Sequence, residues 1–136
     1  MLLKCIFFSS FLICLGISFT CLADESIPYP MDYRVYLQNK GGGLKGVLQI
    51  ENPGKKAWLV QAWAEDDAGK KHSIVLPFLS RIEGQNSIVL TILQEPSPVI
   101  HLKWFVVKLI PSTGKEHINR LIFPVIYKLK IEKINA

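Results

Sequence analysis

Residues 44–65 read LKGVLQIENPGKKAWLVQAWAE and contain two apolar segments on either side of a turn signal. In segment 44–51 apolar or glycine residues occupy every second position, and successive side chains of a strand point to opposite faces. The turn signal is Asn52-Pro53-Gly54-Lys55, where proline presets φ and glycine tolerates a left-handed backbone. We therefore predict two strands, 44–51 and 57–65, with a tight turn between them.

The same alternation between turn signals continues along the chain, and no segment keeps a helical period for three turns. Further strands are predicted at residues 33–37, 73–79, 87–93, 101–110 and 120–131. This makes about seven short strands, which is the number typical of an immunoglobulin-like domain. The predicted fold class is all-β, an immunoglobulin-like β-sandwich.

Residues 1–23 have the pattern of a secretory signal peptide that is cleaved after Ala23. A basic residue precedes a mostly apolar run at 5–17, and small side chains stand at Cys21 and Ala23. The run is short for a membrane span of ~20 residues and no stop-transfer charges follow it, so membrane insertion is not expected after cleavage. The alternatives are an uncleaved anchor or a lipidated Cys21, although residues 18–20 make a poor lipobox.

Cleavage would leave residues 24–136, which is 113 of the 136 residues and the length of one domain. All three cysteines lie in the leader: Cys5, Cys14 and Cys21. The mature chain would then have neither a disulfide nor a cysteine-ligated metal. Export without cysteine favours a bacterial periplasm.

The charge of the chain is moderately basic, with 16 Lys and Arg against 11 Asp and Glu. Loss of Lys4 with the leader lowers the net charge from +5 to +4. The basic residues are scattered, apart from Lys128, Lys130 and Lys133. A nucleic-acid-binding domain would concentrate them in a patch with aromatic residues, so no nucleic-acid partner is expected.

The sequence offers no converging catalytic groups and no motif for a metal or cofactor. We interpret Glu65-Asp66-Asp67 as a solvated turn, because a calcium site needs further ligands at defined spacing. The glycine-rich segment 41–46 lacks the Gly-Lys-Ser/Thr ending of a phosphate loop and precedes a strand. The three histidines are far apart in sequence: His72, His101 and His117. An enzyme is therefore not expected.

Three tryptophans lie in predicted strands: Trp58, Trp63 and Trp104. They could form a ligand-stacking set, but we interpret them as core and inter-sheet packing, the usual role of large aromatic side chains in strands.

Four segments resemble, in order, the periplasmic pilus (fimbrial) assembly chaperones of the chaperone–usher pathway. The segment AWLVQAWAED at 57–66 is similar to the family's third strand, an aliphatic-Val-Gln-small-Trp run followed by acidic residues. The other three are LPFLSRIEGQN at 76–86, WFVVKLIP at 104–111 and IYKLK at 126–130. With the first strand, the resemblance runs from about residue 33 to 131 and implies the N-terminal domain of such a chaperone.

The resemblance implies that the partners are pilus subunits and the outer-membrane usher. A pilus subunit is a sandwich that lacks its last strand, and the chaperone lends its own last strand to fill the groove. The implied donor-strand positions are Asn119, Leu121, Phe123 and Val125. Alternation alone would equally describe an edge strand that faces its own core.

The resemblance also implies an anchor for the C-terminal carboxylate of the subunit. The family uses an arginine of the first strand and a lysine of the last, and Arg34 and Lys128 stand at these positions. Two converging cations would form charge-assisted hydrogen bonds with the carboxylate.

The sequence departs from the family in several places. The resemblance covers only the first of the family's two sandwiches, so a second one is not expected in this chain. Asn119 is polar, and Pro124 removes a backbone donor from the lending strand. Residues 99–102 replace an acidic-basic segment. Two other hypotheses thus stand beside subunit binding: a truncated, non-functional remnant of such a chaperone, and an unrelated periplasmic immunoglobulin-like binding domain.

Overall fold

The computed structural model describes residues 26–95, 100–112 and 122–134. The interpretations of residues 1–23, Asn119 and Leu121 fall outside these ranges. The strands are β1 (Tyr29–Pro30), β2 (Arg34–Lys40), β3 (Gly43–Glu51), β4 (Trp58–Asp66), β5 (Lys71–His72), β6 (Val75–Leu76), β7 (Leu79–Ile82), β8 (Ser87–Gln94), β9 (Leu102–Pro111) and β10 (Val125–Lys133). The described ranges contain no helix with the length and apolar character of a membrane span.

The strands form two layers that share β2. The front layer contains β5, β4, β9 and β10, with β7 also paired to β4, and the back layer contains β3, β8 and β6, with β1 paired to β3. The first half of β2 pairs with β10 in parallel, and its last three residues pair with β3 in antiparallel orientation. All other pairs are antiparallel. The predicted immunoglobulin-like sandwich is confirmed.

The core lies between the layers and is built from alternate residues of the long strands. It includes Val35, Leu37, Leu48, Ile50, Val60, Ala62, Leu90, Ile92, Phe105, Val107, Leu109, Leu129 and Ile131. Gly46 lies on the same face of β3, and a Cβ there would come 2.8 Å from Ile92 Cγ2 and 2.9 Å from Leu37 Cδ2. The face predicted for segment 44–51 is thus the one that packs inward.

A buried asparagine holds the predicted turn at 52–55 in place. Asn52 is fully buried, and its Nδ2 donates to the backbone oxygens of Lys56 at 2.8 Å and Glu83 at 3.0 Å. Its Oδ1 accepts a hydrogen bond from the backbone N of Gly54 at 3.2 Å. At Gly84, an added Cβ would overlap the backbone of Lys55. We call Asn52, Gly54, Glu83 and Gly84 the turn cluster; it joins the turn before β4 to the turn before β8.

The predicted strand 73–79 is wrong, because the chain changes layers at this point. β6 pairs with β8 in the back layer, whereas β7 pairs with β4 in the front layer. Pro77 lies between them, after a cis peptide bond, and proline has no backbone N–H to continue a ladder.

The predicted strand 120–131 also has different bounds. β10 begins at Val125 and ends at Lys133, and Ile122, Phe123 and Pro124 precede it without strand pairing. Because Pro124 lacks an N–H, it marks the start of regular pairing.

A candidate site at the open edge of β10

The first half of β10 is paired on one side only. Residues 125–130 pair with β9, from Val125 opposite Leu109 to Lys130 opposite Trp104. Pairing with β2 starts at Lys130, which lies opposite Arg34. Within the described residues, no strand pairs with the other side of residues 125–129, which we call the open edge. Its unpaired N–H and C=O groups can receive another strand.

The register of the front layer brings the predicted anchor residues onto one face. Register partners point to the same face of a sheet. One row across the outer face is Trp63, Val106 and Lys128, and the next is Glu65, Trp104, Lys130 and Arg34. Lys128 and Arg34 therefore differ by one strand and two residue positions, which corresponds to ~8 Å between Cα atoms.

The ammonium of Lys128 is held beside the open edge by an acidic partner. Its Nζ lies 3.1 Å from Glu65 Oε2 and 5.4 Å from the centroid of the Trp104 ring. The Lys128 side chain is 50% exposed, whereas that of Glu65 is 15% exposed. A cation in this position is charge-paired and still accessible to a second anion.

Glu65 is itself fixed from the opposite side. Its Oε1 accepts a hydrogen bond from Trp63 Nε1 at 3.1 Å. The hydrogen bonds from Trp63 and Lys128 hold the pKa of the Glu65 carboxyl below its usual value, against a smaller opposing effect of desolvation. Glu65 therefore stays ionised as the partner of Lys128 at neutral pH.

Arg34 has a carboxylate partner of its own on the neighbouring strand. Its Nη1 donates to Glu132 Oε1, and the Nζ of Lys130 lies 4.0 Å from the same oxygen. The Arg34 side chain is 51% exposed. It also borders an open groove of about 320 Å³ along β2 and β3, lined by Asp32, Arg34, Tyr36, Gln38, Lys40, Lys45, Gly46 and Val47.

The predicted donor-strand positions are only partly within the described residues. Asn119 and Leu121 lie outside them. Phe123 is 70% exposed, whereas Val125 is half-buried and packs against the domain's own core. Ile126, which has the opposite orientation to Val125, is 56% exposed on the outer face.

The acidic cluster and two of the tryptophans do not lie where the sequence predicted them. Glu65 lies in β4, in agreement with the predicted strand 57–65, and Asp66 extends that strand by one residue, so of the cluster interpreted as a solvated turn Asp67 lies in the turn itself. Trp58 is buried as predicted, but Trp63 and Trp104 lie on the outer face of the front layer. Strict alternation along 57–65 could have identified this arrangement, since it puts Trp63 and Glu65 on the face opposite Val60 and Ala62.

The neighbouring Asp66 closes the turn after β4. Its Oδ1 accepts hydrogen bonds from the backbone N of Ala68 and of Lys70, both at 2.9 Å, and its Oδ2 lies 2.8 Å from His72 Nε2. These contacts, with His72 as the strongest, lower the pKa of Asp66. Its role here is structural, and the described residues contain no group of three or more His, Cys, Asp or Glu able to hold a metal ion.

The fold is immunoglobulin-like, with an open edge and two cations on one face of the front layer, and comparison with known proteins identifies the family. Residues 32–131 match the model of the pili and flagellar-assembly chaperone, PapD N-terminal domain. The chain belongs to this family of pilus-assembly chaperones, and the resemblance drawn from its four segments is confirmed.

Individual relatives agree with this assignment. The chain is similar to Protein FasE of Escherichia coli, with 40% identity over 106 residues that cover 76% of this chain and 80% of the relative. The periplasmic chaperone SfaE shares the fold, with a TM-score of 0.58, 20% identity and coverage of 80% of this chain and 59% of SfaE. The structure of the Salmonella enterica SafA pilin with the SafB chaperone also matches, with a TM-score of 0.58, 16% identity and coverage of 82% and 56%. The chain thus spans a little over half the length of these two solved chains.

Proposed function

We propose that this domain binds pilus subunits during pilus assembly by pairing its open edge with an unpaired edge of the subunit. The observation that carries the proposal is the one-sided pairing of residues 125–129, a segment that includes Lys128. An extended chain added at this edge would gain main-chain hydrogen bonds. The side chains proposed to enter the groove of the subunit are Asn119, Leu121, Phe123 and Val125. Phe123 is exposed, whereas Val125 packs against the domain's own core and could enter the groove only by leaving that contact.

Lys128 and Arg34 are proposed to bind the C-terminal carboxylate of the subunit. Both cations are about half exposed on the same face, and charge-assisted hydrogen bonds are the stronger kind. An anchored chain end would also fix the register of the added strand, because a slip of one residue sends every side chain to the wrong face.

The family assignment removes one of the alternatives, since an unrelated immunoglobulin-like domain would not match the chaperone model over residues 32–131. We favour a working domain over a remnant because the core is continuous across both layers. The proposed activity is binding without catalysis or a cofactor.

The cellular setting forms part of the same proposal. A signal peptide at residues 1–23, cleaved after Ala23, would deliver the domain to the periplasm. There a loaded chaperone would pass its subunit to the outer-membrane usher. Support comes from the family and from the similar fold of SfaE, a periplasmic chaperone.

The test is co-purification from periplasm with a pilus subunit encoded in the same genome. We expect the wild-type chain to retain the subunit and Lys128→Ala to lose at least about tenfold of it, because the anchor for the chain end is removed. Lys103→Ala is the matched control, since its Nζ also lies near the Trp104 ring, at 5.7 Å, and it should behave as wild type. Equal recovery with Lys128→Ala and wild type would contradict the proposal.

A further inference from the structure

Both proposed anchor cations are already paired with carboxylates of the domain itself. Lys128 contacts Glu65, and Arg34 contacts Glu132. We propose that Glu65 and Glu132 lower the affinity of the anchor for the incoming carboxylate of the subunit, Glu65 by charge repulsion and Glu132 by competition for Arg34. This inference rests on the proposed function, and it concerns how strongly the site binds its guest.

At Lys128 the internal carboxylate would remain in place when a guest binds. Glu65 is largely buried, and Trp63 Nε1 holds its other oxygen. A lysine ammonium has three N–H donors, and Glu65 occupies one of them. The accessible side of Lys128 can therefore accept a guest carboxylate, but the two carboxylates would then share one cation and repel each other.

At Arg34 the internal carboxylate would be exchanged. The Glu132 side chain is 30% exposed, twice the fraction of Glu65. It also has a second cation within reach, because Lys130 Nζ lies 4.0 Å from the oxygen that Arg34 contacts. The carboxylate of the subunit can bind the guanidinium of Arg34 while Glu132 pairs with Lys130 instead. This exchange has a cost, since the contact with Arg34 must first be broken.

The two glutamates therefore lower the affinity for the C-terminal carboxylate of the subunit in different ways. Glu65 repels it at Lys128, and Glu132 competes with it for Arg34. A lower affinity for the carboxylate makes release of the subunit easier. Replacing either glutamate with glutamine removes the negative charge and keeps the size of the side chain. The amide oxygen can still accept one hydrogen bond, but the amide NH2 group donates where the second carboxylate oxygen accepted.

The test uses a synthetic peptide of alternating apolar and polar residues with a free C-terminal carboxylate, and the same peptide with a C-terminal amide. Affinities for the full chain are measured by calorimetry, and the result is the ratio of the acid to the amide affinity. We expect Glu65→Gln and Glu132→Gln each to raise this ratio by about two- to fivefold, the scale of one partly exposed charge pair. Binding of the amide should change less than binding of the acid, because the amide end carries no charge.

The matched control is Glu83→Gln. Its side chain also pairs with an arginine, Arg81, at 2.6 Å, but away from the anchor, so the ratio should not change. Thermal unfolding of each variant verifies that it is folded, and the two glutamates provide independent tests.

The results distinguish a failure of the role proposed for the two glutamates from a failure of the carboxylate anchor itself. If wild type prefers the acid and Lys128→Ala does not, the anchor is correct. An unchanged or lower ratio in both glutamine variants would then overturn the inference alone. If wild type binds acid and amide equally, the anchor itself fails, and the inference fails with it.

Discussion

Two polar clusters lie at the two ends of β4, and they differ in burial. The turn cluster around Asn52 precedes the first residue of the strand, and its central side chain is fully buried with each polar atom bonded. The anchor cluster of Glu65 and Lys128 lies near the last residue, and its cation is half exposed. Buried polar groups are costly to leave unpaired, whereas half-exposed ion pairs contribute little to stability. The first cluster should therefore hold the fold, and the second should be available for binding.

The largest effect on stability is expected from Asn52→Ala. It leaves the backbone oxygens of Lys56 and Glu83 without their side-chain donor, and the free energy of unfolding should fall by about 2–4 kcal/mol. Urea unfolding measures this change. The control is Gln49→Ala, which removes an exposed amide and should cost less than about 0.5 kcal/mol. A similar loss in both variants would show that the buried Asn52 contributes no more to stability than an exposed amide.

Gly84→Ala tests the close approach of the two turns. The new methyl group would overlap the Lys55 backbone, which must move. We expect a loss of about 1–3 kcal/mol in the free energy of unfolding, with no change in the preference for a peptide carboxylate. A variant as stable as wild type would show that the turns are not tightly packed.

Lys128→Ala should affect binding strongly and stability little, the opposite of what is expected for the turn cluster. Because the pair with Glu65 is half exposed, its removal should cost less than about 1 kcal/mol of stability, while subunit binding falls strongly. The two quantities can be measured on one preparation, by urea unfolding and by co-purification. A loss of several kcal/mol would mean that Lys128 is a structural residue like Asn52.

The smallest effect concerns acid stability. The pKa of Asp66 is lowered in the folded domain, chiefly by His72. A depressed carboxyl pKa contributes stability above its unfolded value of about 4, and the contribution is lost as the pH falls through the folded value. The difference in urea midpoint between wild type and Asp66→Asn should therefore shrink from pH 6 to pH 3. A difference that is constant with pH would contradict this account.

The local sequence pattern was sufficient to predict the long strands β3 and β4 and the turn at 52–55. Segment 44–51 differs from β3 by one residue at its start, and segment 57–65 differs from β4 by one residue at each end. The agreement is close because alternation and turn chemistry are properties of neighbouring residues. The four family-like segments likewise indicated the chaperone family, which the match over residues 32–131 confirms.

The contacts of the anchor could not be predicted, because they depend on register between distant strands. Glu65 meets Lys128 only through the pairing of β4 with β9 and of β9 with β10. The same holds for Arg34 and Glu132, which are 98 residues apart in sequence. The change of layers at Pro77 was missed since a short apolar run does not show which strand it pairs with.

The proposed function depends on the pairing of residues 125–129 with a strand of the subunit along their open edge. Hydrogen exchange of the backbone amides, with and without the bound subunit, tests it most directly. We predict new protection at those amides of 125–129 that do not bond to β9, with residues 131–133, already paired with β2, little changed. Protection that stays the same at 125–129 in a complex shown to be bound would contradict the account.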